Sequence, residues 1–242
     1  MSIADNITGI EERIQNVCNR IGRKRETITL MGISKFHPIE SVEEARLAGI
    51  SFFGESRVQE GVAKFENYKT KHPDIQVHLV GHLQRNKAKA AALFFDCIQS
   101  ADSESLIVEL DKRAGGDGSS GGDKQLSRGN KLPLLLELHT GEDTKSGFTG
   151  FDELFKAAEM IMDSSNLSPR GLMTLAPYTE DKEMVRASFR QLVKAQNELE
   201  KRFPPKENWS CLSMGMSNDF EIAIEEGATL LRIGSLIFGE RV

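Results

Sequence analysis

The sequence predicts a single (β/α)8 TIM barrel preceded by an extra N-terminal helix. Three observations carry that prediction. Short β-branched or apolar runs alternate with helix-period stripes along the chain. Eight such runs follow one another, seven of them linked to the next by a helix. The runs are mostly continuous rather than alternating, as a sheet buried on both faces requires. Eight units in 242 residues favour a barrel over an open, doubly wound sheet.

Each element has its own signal. Ile3, Ile7, Ile10, Ile14, Val17, Cys18 and Ile21 recur at offsets of three and four, which makes one apolar helical stripe. Gly22 ends it. The first strand runs from Thr27 to Ser34, and Pro38 opens the next helix. Strands then fall at 51–53, 77–80, 94–99, 132–139, 170–175, 210–213 and 229–233. Helices are expected from about Arg57, over 84–93, after a Ser103 cap, around Phe151 to Met162, around Val185 to Leu199, and after a Ser217 cap. Residues 115–130 are rich in Gly, Ser and Asp and read as a flexible insertion on the side away from a barrel's active site. The chain is thus expected to be one domain over 1–242.

Composition removes several classes of function. The hydrophobic fraction is 39%, the charged fraction 28% and the net charge −5. That balance gives no general attraction to nucleic acid or to an anionic membrane. The longest strongly apolar run, Leu132 to Leu138, is interrupted by Glu137 and is far too short to span a bilayer. The first residues lack both a basic and an apolar region of a secretory signal. Cys18, Cys97 and Cys211 lie far apart and fit neither a disulfide framework nor a metal site. They read as buried thiols of a cytoplasmic protein. His78 and His82 are four apart but straddle a strand end, so no metal site is expected there.

Chemistry on a barrel sits at the C-terminal ends of its strands. Strands seven and eight end in Ser213-Met214-Gly215-Met216-Ser217 and Arg232-Ile233-Gly234-Ser235. Glycines there let backbone approach an anion, Arg232 adds a fixed charge, and Ser235 adds a hydroxyl. Barrels often hold phosphate after these two strands. Strand one ends in Lys35, directly after a buried run. A partly desolvated lysine amine can attack an aldehyde and form a Schiff base. A phosphate pocket and such a lysine at one mouth suit a phosphorylated aldehyde. Pyridoxal phosphate and a sugar phosphate bound by an aldolase fit equally well at this point. His82 also stands at the mouth, where it either lines the pocket or packs against the barrel.

Several motifs carry a family resemblance. They are Ile33-Ser34-Lys35, Phe53-Gly54-Glu55-Ser56-Arg57-Val58-Gln59-Glu60 and Gly81-His82-Leu83-Gln84-Arg85-Asn86-Lys87, followed by Thr144 to Phe148 and Gly171 to Thr174. Leu212 to Ser217 and Arg232 to Gly239 complete them. In order and spacing they resemble the pyridoxal phosphate homeostasis protein family, also called the proline synthase co-transcribed family, over nearly the whole chain. The resemblance implies the barrel of alanine racemase, which is the type III fold of pyridoxal phosphate (PLP) proteins. It implies PLP covalently held on Lys35, with Ser213, Arg232, Gly234 and Ser235 around the phosphate. The same motifs bring Gly215, Met216, His82 and Ser56 into the expected cofactor-binding set. Ser56 stands where the family usually carries Asn, and its hydroxyl has less hydrogen-bonding reach than a carboxamide.

The resemblance also implies a cytosolic protein that buffers and delivers PLP, and so affects amino-acid and keto-acid balance. No catalytic residues are expected on this reading. The competing reading is a PLP-dependent amino-acid racemase of low activity. Racemisation needs an acid/base on each face of the substrate carbon. Tyr178, after strand six, is the tyrosine that can approach the mouth, and Lys145 is a second amine near it. The sequence stops at Val242, soon after strand eight, so no C-terminal β domain is expected. An open cofactor face suits a monomeric carrier, with apo forms of PLP enzymes as its recipients.

Overall fold

A computed structural model describes residues 2–115, 131–141 and 146–240. The flexible insertion expected over 115–130 lies outside these residues except for Gly115, and so does Lys145. Helix α1 (Ile3–Ile21) leads the chain, capped by Ser2 and ended by Gly22 at φ 70°. Eight strands follow: β1 (Thr29–Ile33), β2 (Phe52–Glu55), β3 (Gln76–Leu79), β4 (Cys97–Ala101), β5 (Leu132–Glu137), β6 (Leu167–Met173), β7 (Cys211–Ser213) and β8 (Leu230–Ile233). They alternate with α2 (Ile39–Leu47), α3 (Val58–Lys71), α4 (Ala88–Phe94), α5 (Glu104–Ala114), α6 (Phe151–Asp163), α7 (Lys182–Arg202) and α8 (Phe220–Glu225), and α9 (Ser235–Phe238) follows β8.

The strands pair in sequence order and close into a barrel. Closure is made by β1 against β8, parallel, with Met31 opposite Arg232 and Gly32 opposite Ile233. All eight strands among the described residues belong to this one barrel. The main apolar core lies between the strands and the helix ring. Smaller groups inside the barrel, such as Met31, Ile33 and Leu230, fill its centre.

Helix α1 explains how the ring is completed. A (β/α)8 barrel needs a helix over the seam between its last and first strands. The four-residue α9 is too short to cover it. Helix α1 packs against α2, α8 and α9 and takes that place. Its stripe of Ile7, Ile10, Ile14, Val17 and Cys18 is buried as a result.

The structure shifts several expected boundaries. Arg25–Thr27 forms a 3-10 turn, with the Thr27 hydroxyl donating to the Lys24 carbonyl, so β1 begins at Thr29. Phe94 closes α4, and β4 begins only at Cys97. Periodicity alone cannot divide such an apolar run between a helix end and a strand start. Ser103 stands at the head of α5 as expected, but its hydroxyl bonds Asp102 and Ser105 rather than the helix backbone. Ser217 does not cap α8. Asp219 stands at that position, and Ser217 turns its hydroxyl to Ser235. Cys18 and Cys97 are buried, whereas Cys211 is half-buried as a residue, with its thiol pushed up to about 11 by burial. Among the described residues no helix is long and apolar enough to cross a membrane.

Candidate functional site

Lys35 sits on the turn that leaves β1, and the chain around it is pinned on both sides. Ser34 is fully buried and donates from its hydroxyl to Glu55 Oε1 at 2.7 Å. Lys64 on α3 donates to the Ser34 carbonyl at 2.7 Å and to Glu55 Oε1 at 2.8 Å. Phe36 adopts φ 66°, the left-handed region that non-glycine residues rarely occupy. Its N–H donates to Glu60 Oε1 at 2.8 Å, which holds that strained turn. His37 stacks on Phe238 with ring centroids 5.1 Å apart. Burial first, and then the Lys64 charge, lower its pKa. Lys35 is half-buried between these anchors, and its side chain lines a cavity at the barrel mouth.

The ends of β7 and β8 build the facing wall. Gly215 adopts φ 93°, and a Cβ there would lie 2.6 Å from Ala223 Cβ, so the turn closes tightly over α8. The Arg232 N–H donates to the Gly215 carbonyl at 2.9 Å and ties the two loops together. The Ser235 and Ser217 hydroxyls meet at 3.1 Å.

Arg232 points into the barrel and is 4% exposed. Its Nη1 donates to Ser213 Oγ at 2.6 Å, and its Nη2 donates to the Thr174 carbonyl at 2.7 Å. Burial lowers its pKa to about 10, against the pull of Asp219 and Glu137, so it remains a cation at neutral pH. Among the described residues no carboxylate forms an ion pair with it. A buried charge without a counter-charge in direct contact is costly unless something else compensates it. Glu137, buried at the end of β5, accepts from Ser146 Oγ at 3.0 Å, and burial raises its pKa.

The cavity measures about 830 Å³. Of the expected cofactor-binding residues, Lys35, Met216, Arg232, Gly234 and Ser235 line it. Ser213 lies fully buried behind Arg232, and Gly215 shapes the turn above. Ser56 and His82 do not reach the cavity wall. The Ser56 backbone packs against Gly81, where a Cβ would come within 2.3 Å of the Ser56 carbonyl oxygen. His82 is 60% exposed in its side chain and holds Asp102 at 2.8 Å. The sequence reading missed Ser217, Asn218 and Thr179 as wall residues. The first two directly follow the Ser-Met-Gly-Met run, so their position was available as a signal. Tyr178 does reach the cavity edge, although it is 86% exposed.

Comparison with known proteins decides the family. The alanine racemase N-terminal domain profile matches residues 6–242. A pyridoxal phosphate homeostasis protein of Aquifex aeolicus is 38% identical over 244 residues, covering 100% of this chain and 99% of the relative. Its counterpart in Vibrio cholerae is 36% identical, covering 99% of this chain and 97% of that relative. This chain belongs to the pyridoxal phosphate homeostasis protein family. Among solved structures, PipY of Synechococcus elongatus PCC7942, described as having PLP bound, is 32% identical with a TM-score of 0.80. That likeness covers 98% of this chain and 100% of PipY. The alanine racemase of E. faecalis shares the fold at 12% identity and a TM-score of 0.67, over 99% of this chain and 59% of the racemase. Members of the homeostasis family and racemases therefore share this barrel, and the motifs read in the sequence mark the former.

Proposed function

We propose that this chain binds pyridoxal 5'-phosphate at the barrel mouth, covalently on Lys35, and serves PLP homeostasis as a carrier. The observation that carries this reading is Arg232, a buried guanidinium that lines the cavity and makes no ion pair with a described carboxylate. Such a charge calls for an anion, and a phosphate accepts several of its donors. Lys35 lines the same cavity and supplies the amine. The bound cofactor supplies an aldehyde, with which a lysine amine condenses reversibly with loss of water. Ser213 holds Arg232 from behind, while Gly215, Met216, Gly234 and Ser235 form the phosphate end, with Ser217 added to them. Ser56 and His82 are left out of this set, since the Ser56 backbone packs against Gly81 and His82 turns to Asp102.

The carrier reading extends to a monomer in the cytoplasm, with the chain over 1–242 acting as one unit and apo PLP enzymes as recipients. The solvated position of Tyr178 supports it over a racemase. A general acid or base acts best from a fixed, water-excluded position. The test is reconstitution. The purified protein incubated with PLP is expected to gain an absorbance band near the visible edge. Borohydride is expected to remove the band and fix the cofactor to the Lys35 peptide, and Lys35→Ala to abolish both. A colourless protein, or an adduct mapped elsewhere, overturns the reading. Amino-acid racemisation by the wild type that is lost in Lys35→Ala would replace carriage with catalysis.

A further inference from the structure

Inside the barrel, beneath the cavity, polar side chains from four strands meet among Met31, Ile33, Leu135 and Met173. His78 of β3, Gln99 of β4, Ser213 of β7 and Arg232 of β8 are 6%, 0%, 0% and 4% exposed. They form one chain of hydrogen bonds. Arg232 Nη1 lies 2.6 Å from Ser213 Oγ, and Ser213 Oγ lies 2.6 Å from Gln99 Oε1. Gln99 Nε2 lies 2.9 Å from His78 Nδ1, and His78 Nε2 lies 3.3 Å from Gln76 Oε1.

The direction of the first bond follows from Arg232, because a guanidinium has donors only, and the placement of the Gln99 amide sets the rest. Ser213 must accept from it, and because Gln99 turns its Oε1 to Ser213, the hydroxyl proton goes to Gln99. The Gln99 carbonyl oxygen accepts that proton, which leaves its amide N–H to donate to His78 Nδ1. His78 then carries its proton on Nε2, facing Gln76. Each bond polarises the next in this dry interior. At the other end, the Thr174 carbonyl is the second described acceptor on Arg232. The remaining guanidinium donors have no acceptor among the described residues, and the side chain lines the cavity.

We propose that Gln99 is a positioning residue, which through Ser213 fixes the direction in which Arg232 presents its free donors to the phosphate of the ligand, with His78 closing the chain from below. This rests on the cofactor reading given above. A buried long side chain held by two acceptors loses its orientation when one is lost, and hydrogen bonds to charged groups are the strong ones.

The experiment compares PLP with pyridoxal, which lacks the phosphate, in wild type and in Gln99→Leu. Ser213→Ala is the second variant and breaks the chain one bond nearer Arg232. The expected result is a Kd for PLP raised about tenfold in either variant, with the Kd for pyridoxal unchanged. Equal weakening of both ligands, or no weakening of either, overturns the proposal. A further readout needs no cofactor. In the apo protein, the nitrogen spectrum of His78 is expected to show the Nε2-protonated ring, and Gln99→Leu to lose that preference. A wild type that shows this tautomer but binds no PLP refutes the cofactor reading alone. A wild type that binds PLP with the other tautomer refutes the positioning role alone.

Discussion

At the scale of the residue, the barrel interior sets protonation states that solvent exposure would not. His78 is buried, and burial lowers its pKa to about 4, with Lys69 adding to the shift and Asp96 opposing it. Its ring signals are expected to stay unchanged in an NMR titration from pH 8 to 5 and to move only near pH 4. The unfolded ring takes its proton near 6.5. Between 6.5 and 4 the unfolded chain therefore binds more protons than the folded one, and folding weakens as pH falls. The stabilisation is complete above the unfolded value and is lost through the folded one, amounting to about 3 kcal/mol for this group. Glu55 and Glu137 act in the opposite sense. Burial raises both pKa values, so their contribution is full below the ordinary carboxylate range and fades as pH rises. Denaturation of wild type and His78→Leu at pH 7 and pH 4.5 separates the two effects, because the histidine term disappears in the variant.

At the scale of the element, the loop that bears Lys35 depends on α3. Lys64 and Glu55 form a pair 10% and 0% exposed in their side chains, and Glu55 Oε2 is buried with no hydrogen-bond partner among the described residues. Removing one member of a buried pair strands the other charge. Lys64→Met is expected to cost about 3 kcal/mol in urea denaturation, and Lys64→Met with Glu55→Leu to recover most of that loss. A loss in the single variant that the double variant does not recover argues that α3 packing, not charge, secures the loop. The β6–β7 edge depends on a single glycine. Gly171 adopts φ 146°, and a Cβ there would lie 1.9 Å from the Cys211 carbonyl oxygen. Gly171→Ala is expected to cost about 3 kcal/mol or more, because the clash is with backbone that pairs the two strands.

At the scale of the whole molecule, α1 completes the helix ring over the β8–β1 seam. Ile14 is fully buried in its stripe. Ile14→Ala is expected to lower stability by about 3 kcal/mol, with the loss read as one cooperative transition. A separate early transition of α1 would show instead that the barrel closes without it. This role was half legible. The stripe announced a helix with a buried face, but nothing in Ile3 to Ile21 says which elements it covers. The short α9 had no signal either, since four residues cannot show a period.

The sequence by itself determined the order and kind of nearly every element, because burial on two faces or one face writes itself into local spacing. It also placed Lys35 and Arg232 at strand ends, and its motifs marked the family. Only the tertiary structure decided which of these residues meet. Ser213 and Gln99 are 114 positions apart, and Arg232 reaches Ser213 and Thr174 only because the barrel closes with its strands in register. Hydrogen-bond partners of inward side chains depend on that register and on strand stagger, which no local pattern encodes. The same closure left Ser56 and His82 off the cavity wall and brought Ser217 to Ser235.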